Sequence, residues 1–366
     1  MESKQIQKAG DNSQQTVVNN YNYGMNEEQA IALYKEQQVL TISACSELAK
    51  TIANDRIEQF ANVLLPRIQK IENDYQSFSD PSFQVLLRKA QMTAACTERE
   101  DDYKILSELL VHRIKNKSNT KKKASISKAV EIIDQIDDDS LRALTVFLAI
   151  EHFTPVSGNI SDGLAVLDNL YSKLDLDSLP TDTSWIDNLS ILGAVNTVSF
   201  GSMKKYEQYF SENLSGYVCA GIKADSEDYL KAVSLLKGNN ISANFLVENE
   251  LLPGYARLEI TAEQKIDALS LTQRVSVNGL ESNISVPLSN KQKNCLKEII
   301  DMYVKDASLI SQAKSGFSDK LDTYLSIAKA KAWWNSLKGS IQLTSVGRVI
   351  AHTNAKSINN TLPNLD

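Results

Sequence analysis

The sequence predicts a mainly α-helical protein: a multi-helix body, a short N-terminal β segment used for self-assembly, and a C-terminal winged-helix-like module. Three observations predict it. From Asn26 onward mostly apolar residues recur at three- and four-residue steps, as in Ile31, Tyr34, Gln38, Ile42, Cys45, Leu48 and Ile52, which places them on one helical face. Many of these runs follow a capping residue, such as Asp80 before Pro81 or Asp137 before the Leu141 to Ile150 run. Met1 to Gly24, by contrast, is rich in Gln and Asn and lacks this spacing.

In that first segment Val17, Asn19, Tyr21 and Tyr23 would share one face of a strand, and Thr16, Val18, Asn20 and Asn22 the other. Both faces are semi-polar, so the strand buries no clean apolar side within its own domain. Copies of it can pair instead, with Asn and Gln ladders and stacked Tyr rings. Gly10, Asp11, Asn12 and Ser13 supply a turn, so Gln5 to Ala9 could fold back on Thr16 to Tyr23. The bland alternative is a low-complexity tail. Self-assembly through Gly10, Asp11, Asn12, Val17, Val18, Tyr21 and Tyr23 is the sharper reading.

The string Gln7 to Val17, QKAGDNSQQTV, resembles the AGDNS-type N-terminus of assorted bacterial proteins, several linked to phage defence. With Asp80-Pro81-Ser82-Phe83-Gln84 and the Asp139 to Pro155 stretch, the chain is similar to the LPO/Vpar family of bacterial proteins. The likeness implies a role near antiviral defence and carries no catalytic residues to map onto this chain.

The expected divisions are residues 1–25, the assembly segment; 26–155, an N-terminal helical domain; 156–250, a middle helical region; and 251–366, the C-terminal module. Asn26 caps a long helix reaching toward Asn73, with Pro66 bending or interrupting it. A helix with the stripe Phe83, Leu86, Leu87, Ala90 and Ala94 follows, then one from Asp101 to Ile114, one starting near Ser125 and one ending at Thr154-Pro155. Leu164 to Leu174, Trp185 to Phe200, Met203 to Asn213 and Ser226 to Lys237 read as further helices. Tyr217 to Ile222 reads equally as strand or turn. Tyr255 to Ile260 alternates like a strand, Thr261 caps a new helix, and Val275 to Pro287 with Asn278-Gly279 at its middle reads as a hairpin or an ordered loop. Helices are expected over Asn290 to Ser311 and Phe317 to Leu337. Leu343, Thr344, Gly347, Ile350 and Ala351 then give an LTxxGxxIA pattern that resembles the end of winged-helix-like modules, with Thr344 as cap.

Composition narrows the function classes. Of 366 residues 42% are hydrophobic and 23% charged, which is ordinary for globular domains. A net charge of -6 argues against indiscriminate DNA coating. Arg113, Lys115, Lys117, Lys121, Lys122, Lys123 and Lys128 nonetheless form a run with no acid among them. It is a solvated loop, or a phosphate and nucleic-acid contact helped by the following helix N-terminus. Cys45, Cys96, Cys219 and Cys295 are scattered with no C-x-x-C pair, so neither zinc nor a disulfide framework is suggested and the cytoplasm is the expected compartment. No signal-peptide pattern opens the chain. The uncharged stretch Asn188 to Met203 is short and polar for a membrane span and reads as a buried helix.

No G-x-S-x-G, P-loop, H-E-x-x-H or dinucleotide fingerprint is present. His112, His152 and His352 sit in unrelated sequence contexts, and His152 reads as a core histidine. Asp137, Asp138 and Asp139 suit a helix start better than a metal. No catalytic residue, metal or cofactor is therefore expected. The expected function is a non-enzymatic homo-oligomer, an effector or regulator of phage defence. The alternative is a nucleotide or oligonucleotide sensor that meets a membrane on activation and gates a pore.

Overall fold

The computed structural model describes residues 27–71, 76–116, 118–198, 201–277 and 280–363. The expected N-terminal β segment therefore lies outside the described residues. The chain divides into two units, Met1–Arg56 and Ile57–Asp366, and the described residues are mainly α with a few short antiparallel strands.

Helix α1, Glu27–Gln69, contains Pro66. Within the first unit it carries Leu48 and Ile52, one turn apart and 66% and 41% exposed. Within the second unit Phe60, Leu64 and Ile68 repeat every fourth residue and are buried, one stripe facing a core.

In that second unit α2 (Pro81–Cys96), α3 (Glu100–Lys115), α4 (Thr120–Ile132) and α5 (Asp138–His152) pack with the last helix into the larger core. Local chemistry sets their starts. Asp80 accepts from the Ser82 N–H with Pro81 at the first helical position, Asn119 accepts from the Lys122 N–H, and Asp137 from the Ser140 N–H. The expected stripe on α2 is buried at Phe83, Leu86, Ala90 and Ala94, with Leu87 half-buried beside it.

Next come α6 (Ile160–Tyr171), α7 (Ser184–Ile191), β1 (Val195–Val198) and α8 (Tyr206–Asn213). The helix expected over Trp185 to Phe200, and with it the buried helix over Asn188 to Met203, is corrected here. α7 stops at Ile191, Gly193 turns the chain at φ +73°, and Val195–Val198 is a strand whose last three residues are exposed. An apolar run this short fits strand and helix alike, and its β-branched valines find a partner strand.

A second, smaller core lies around a three-stranded antiparallel sheet. Its strands are β2 (Ile222–Lys223), β3 (Leu246–Glu248) and β4 (Tyr255–Leu258), in the order β2-β4-β3. α9 (Glu227–Gly238), capped by Ser226, and a later helix, α10 (Asn290–Asp301), pack with it. β5 (Ser270–Val277) and β6 (Leu280–Pro287) pair antiparallel with Val277 opposite Leu280, the expected hairpin. Thr261 does not cap an α-helix. The chain forms a short 3₁₀ stretch, Glu263–Ala268, instead.

The C-terminal helices are α10, α11 (Ala307–Asp322), α12 (Leu325–Ser336) and α13 (Ser345–Ile358), with β7 (Ser340–Leu343) before the last. The single helix expected from Asn290 to Ser311 is broken, because Asp306 caps a fresh start by accepting from the Ser308 and Leu309 N–H groups. Thr344 caps α13 as expected, accepting from the Gly347 N–H. The structure does not confirm a winged-helix-like module around it. β7 pairs with β1, Val195 opposite Leu343, and α13 packs on α3, α4 and α5. Residues 251–366 fall within the unit Ile57–Asp366, and α13 buries Val349, Ile350, Ala351 and Ala355 in the larger core.

Among the described residues no helix is long and apolar enough to cross a membrane.

Candidate functional site

The basic run falls at the C-terminal end of α3 and the start of α4, and most of it does not converge. Arg113 is 4% exposed. Its Nη2 donates to Ser82 Oγ at 2.7 Å and meets Asp80 Oδ2 at 3.3 Å, so it ties α3 to the cap of α2 and is not free for phosphate. Lys128 reaches Glu131 at 3.9 Å, Lys115 is exposed at the end of α3, and Lys117 lies outside the described residues. Only Lys121, Lys122 and Lys123 stand together, in the first turn of a helix with no acidic residue in that turn. That helix starts at Thr120 and not near Ser125, because Asn119 provides the cap.

The other end of α3 holds a cleft of about 580 Å³ that the sequence does not announce. Arg99, the residue before α3, donates through Nη2 to Asp102 Oδ1 at 2.8 Å, through Nη1 to Asp138 Oδ1 at 2.8 Å and through Nη2 to the Ile133 carbonyl at 2.9 Å. Asp102 is fully buried and also accepts from Thr97 Oγ1. Burial pushes its carboxyl above the ordinary range, against the pull of Thr97 and Arg99. On the facing wall, Arg142 of α5 bonds Asp139 Oδ1 at 2.7 Å and the Ser178 carbonyl at 3.1 Å, and its Nε sits 3.0 Å from Asp175 Oδ2. Leu141, Val146 and Leu174 make a buried apolar floor, and Ile358 at the end of α13 remains 44% exposed. Asn354 of α13 donates to Thr145 Oγ1 at 2.9 Å across the back. A mixed cleft of this size, with convergent polar groups over an apolar floor, has the make-up of a small-ligand site.

The aspartates at the start of α5 are accounted for by these bonds. Asp138 and Asp139 hold the two arginines, and Asp137 caps the helix. Burial works against ionisation of Asp137, but hydrogen bonds from Ser140 and Asn188 overcome it and hold the carboxyl low.

Two of the three histidines come together in the fold. His112 of α3 and His352 of α13 have ring centroids 6.1 Å apart, and Phe153 lies 6.1 Å from His352. Both imidazoles are buried, and His112 Nε2 and His352 Nδ1 have no hydrogen-bond partner. His352 Nε2 lies 2.9 Å from the Pro363 carbonyl, and His112 Nε2 lies 3.7 Å from Glu108, which Arg67 in turn holds at 3.0 Å. Burial lowers both imidazoles, His112 to about 4, with Glu108 opposing and His352, Lys356 and Lys115 adding to the drop. His152 is the exposed one, and the core reading for it is corrected. Sequence spacing could not have found this pairing, because it depends on how α13 docks on α3.

Compared with known proteins, the chain is matched by one protein-family model over residues 24–366. The AGDNS-type string therefore precedes the matched span. No curated protein matches, and no solved structure does.

Proposed function

We propose, for a chain that belongs to the LPO/Vpar family of bacterial proteins, that it is a non-enzymatic, self-assembling interaction protein acting as effector or regulator in antiviral defence. The observation that carries the reading is the apolar stripe of α1. Leu48 and Ile52 stand one turn apart and exposed, and they continue the spacing of Ile31, Tyr34, Ile42 and Cys45 in the sequence. A helix that leaves Leu48 and Ile52 exposed is stabilised by covering them with a second copy. The AGDNS-type segment just before it supports the same reading, since its semi-polar strand pattern favours pairing with copies of itself. The defence role rests on the resemblance of that segment.

Light scattering on a sizing column tests the assembly. Deleting Met1 to Gly24, or introducing Leu48→Lys with Ile52→Lys, is expected to lower the mass to smaller species. An unchanged mass in both would sink the reading.

A second reading is favoured by one observation, the three lysines in the first turn of α4. An oligonucleotide phosphate there would meet both the ammonium groups and the helix N-terminus. Binding of a single-stranded oligonucleotide that falls with salt and is abolished by Lys121→Glu, Lys122→Glu and Lys123→Glu together supports it. Salt-insensitive binding, or none, removes it. The accompanying idea of contact with a membrane on activation would show as vesicle leakage by the assembled protein.

A further inference from the structure

We propose that the cleft at the N-terminal end of α3 binds a small zwitterion with an apolar body, that is, a free amino acid such as leucine or methionine. The inference goes beyond the self-assembly reading and does not depend on it.

The argument is one of charge left over. Arg99 is committed to Asp102 and Asp138, Lys104 to Asp101 at 2.7 Å, and Arg142 to Asp139 and Asp175. Two charged groups on the lining, Glu100 and Lys173, make no ion pair among the described residues, and both are exposed. Arg142 adds a further donor, since its bonds and ion pairs use Nε and Nη1 and leave Nη2 unengaged. The cleft lining thus offers one uncommitted carboxylate, one uncommitted ammonium, a guanidinium N–H of Arg142, and an apolar floor of Leu141, Val146 and Leu174.

Such a site discriminates by charge at both ends of its ligand. A polyanion such as a nucleic-acid strand would meet Glu100, Asp101, Asp138 and Asp175 without enough free cations to offset them. A simple cation would leave Lys173 unanswered. A zwitterion answers both signs, its ammonium toward Glu100 and its carboxylate toward Lys173 and Arg142 Nη2, while an aliphatic side chain covers the floor and the exposed Ile358. A volume of about 580 Å³ leaves room for one such molecule and bridging water.

Titration calorimetry of the full-length protein at low salt with L-leucine, L-methionine and L-phenylalanine tests this. Each free amino acid should bind better than glycine, and N-acetyl-leucine and leucine amide should each bind about tenfold more weakly than leucine, the loss of one charge-assisted contact. Glu100→Gln should make leucine and N-acetyl-leucine equal without changing the preference for acid over amide, and Lys173→Gln should do the converse. Both side chains are exposed, and a matching denaturation midpoint confirms that each variant is folded. No heat with any of the three at millimolar concentration overturns the proposal. So does equal binding of leucine and its N-acetyl form by the unaltered protein.

Discussion

The two ends of α3 concentrate charge in opposite ways. At the C-terminal end the cations follow one another along a short stretch of sequence with no acid between them, and few acids answer them. At the N-terminal end Arg99, Asp102, Asp138, Arg142 and Asp175 come from several separate segments and pair with one another around an apolar floor. The first arrangement is visible in the chain and makes no cavity. The second exists only once α3, α5 and α13 have docked, and it encloses a volume. Charge density along a sequence therefore reports neither burial nor commitment, and Arg113 shows this most sharply, since the opening cation of the basic run is one of the buried charges of the fold.

If the pairing at the N-terminal end is a structural hub, Arg99→Ala should produce the largest effect. The substitution strands the Asp102 carboxylate, fully buried in the native chain, without its guanidinium. Breaking one side of a buried pair costs about 3–5 kcal/mol, measured as a lowered midpoint in urea unfolding. A loss below about 1 kcal/mol, the value of a surface ion pair, would make the two ends of α3 equivalent and break the comparison.

The C-terminal end should instead reveal itself through pH. Burial pushes the His112 imidazole from an ordinary value of 6.5 down to about 4 in the folded chain. The unfolded chain thus binds the proton more tightly, so stability is full above about 6.5 and is lost as pH falls from there toward 4. The difference corresponds to about 3 kcal/mol. His112→Gln should flatten that slope in unfolding measured between pH 7 and pH 4. A slope that survives the substitution would assign the acid sensitivity to His352, which burial also lowers, or to carboxylates elsewhere.

Arg113→Ala should cost about 2 kcal/mol, from lost packing and the bond to Ser82. The effect is smaller than that of Arg99→Ala because the partner left behind, Asp80, is partly exposed and can be hydrated. Asp80→Ala paired with Arg113→Ala in a double-mutant cycle would isolate their coupling.

What was legible in the sequence was what is local. Asp80, Asp137 and Thr344 cap the helices they precede, because a cap needs only its own side chain and an N–H two or three residues on. The β5–β6 hairpin was legible for the same reason. Val195–Val198 was not, since its strand character depends on β7, which lies far along the chain. The C-terminal pattern around Thr344 showed the capped helix correctly but not its surroundings, because nothing near Thr344 records that α13 belongs to the larger core. The cleft and the His112–His352 pair failed to show for that reason too: each joins residues that only tertiary packing brings together. Among the described candidate residues, Lys121, Lys122 and Lys123 alone stand together as their spacing implied.

Those lysines set up the smallest effect, and it has an unusual sign. Lys121 and Lys123 stand in the first turn of α4 with no acid to offset them, where the positive end of the helix dipole disfavours cations. Lys121→Glu with Lys123→Glu should therefore stabilise the protein by about 1 kcal/mol, seen as a raised unfolding midpoint that shrinks in high salt. If the same pair also abolishes oligonucleotide binding, the run is held against the stability of its own helix, and the C-terminal end of α3 is a contact surface. If stability rises and no binding is lost, the run is a solvated helix start, and the N-terminal cleft is left as the end of α3 that recognises a ligand.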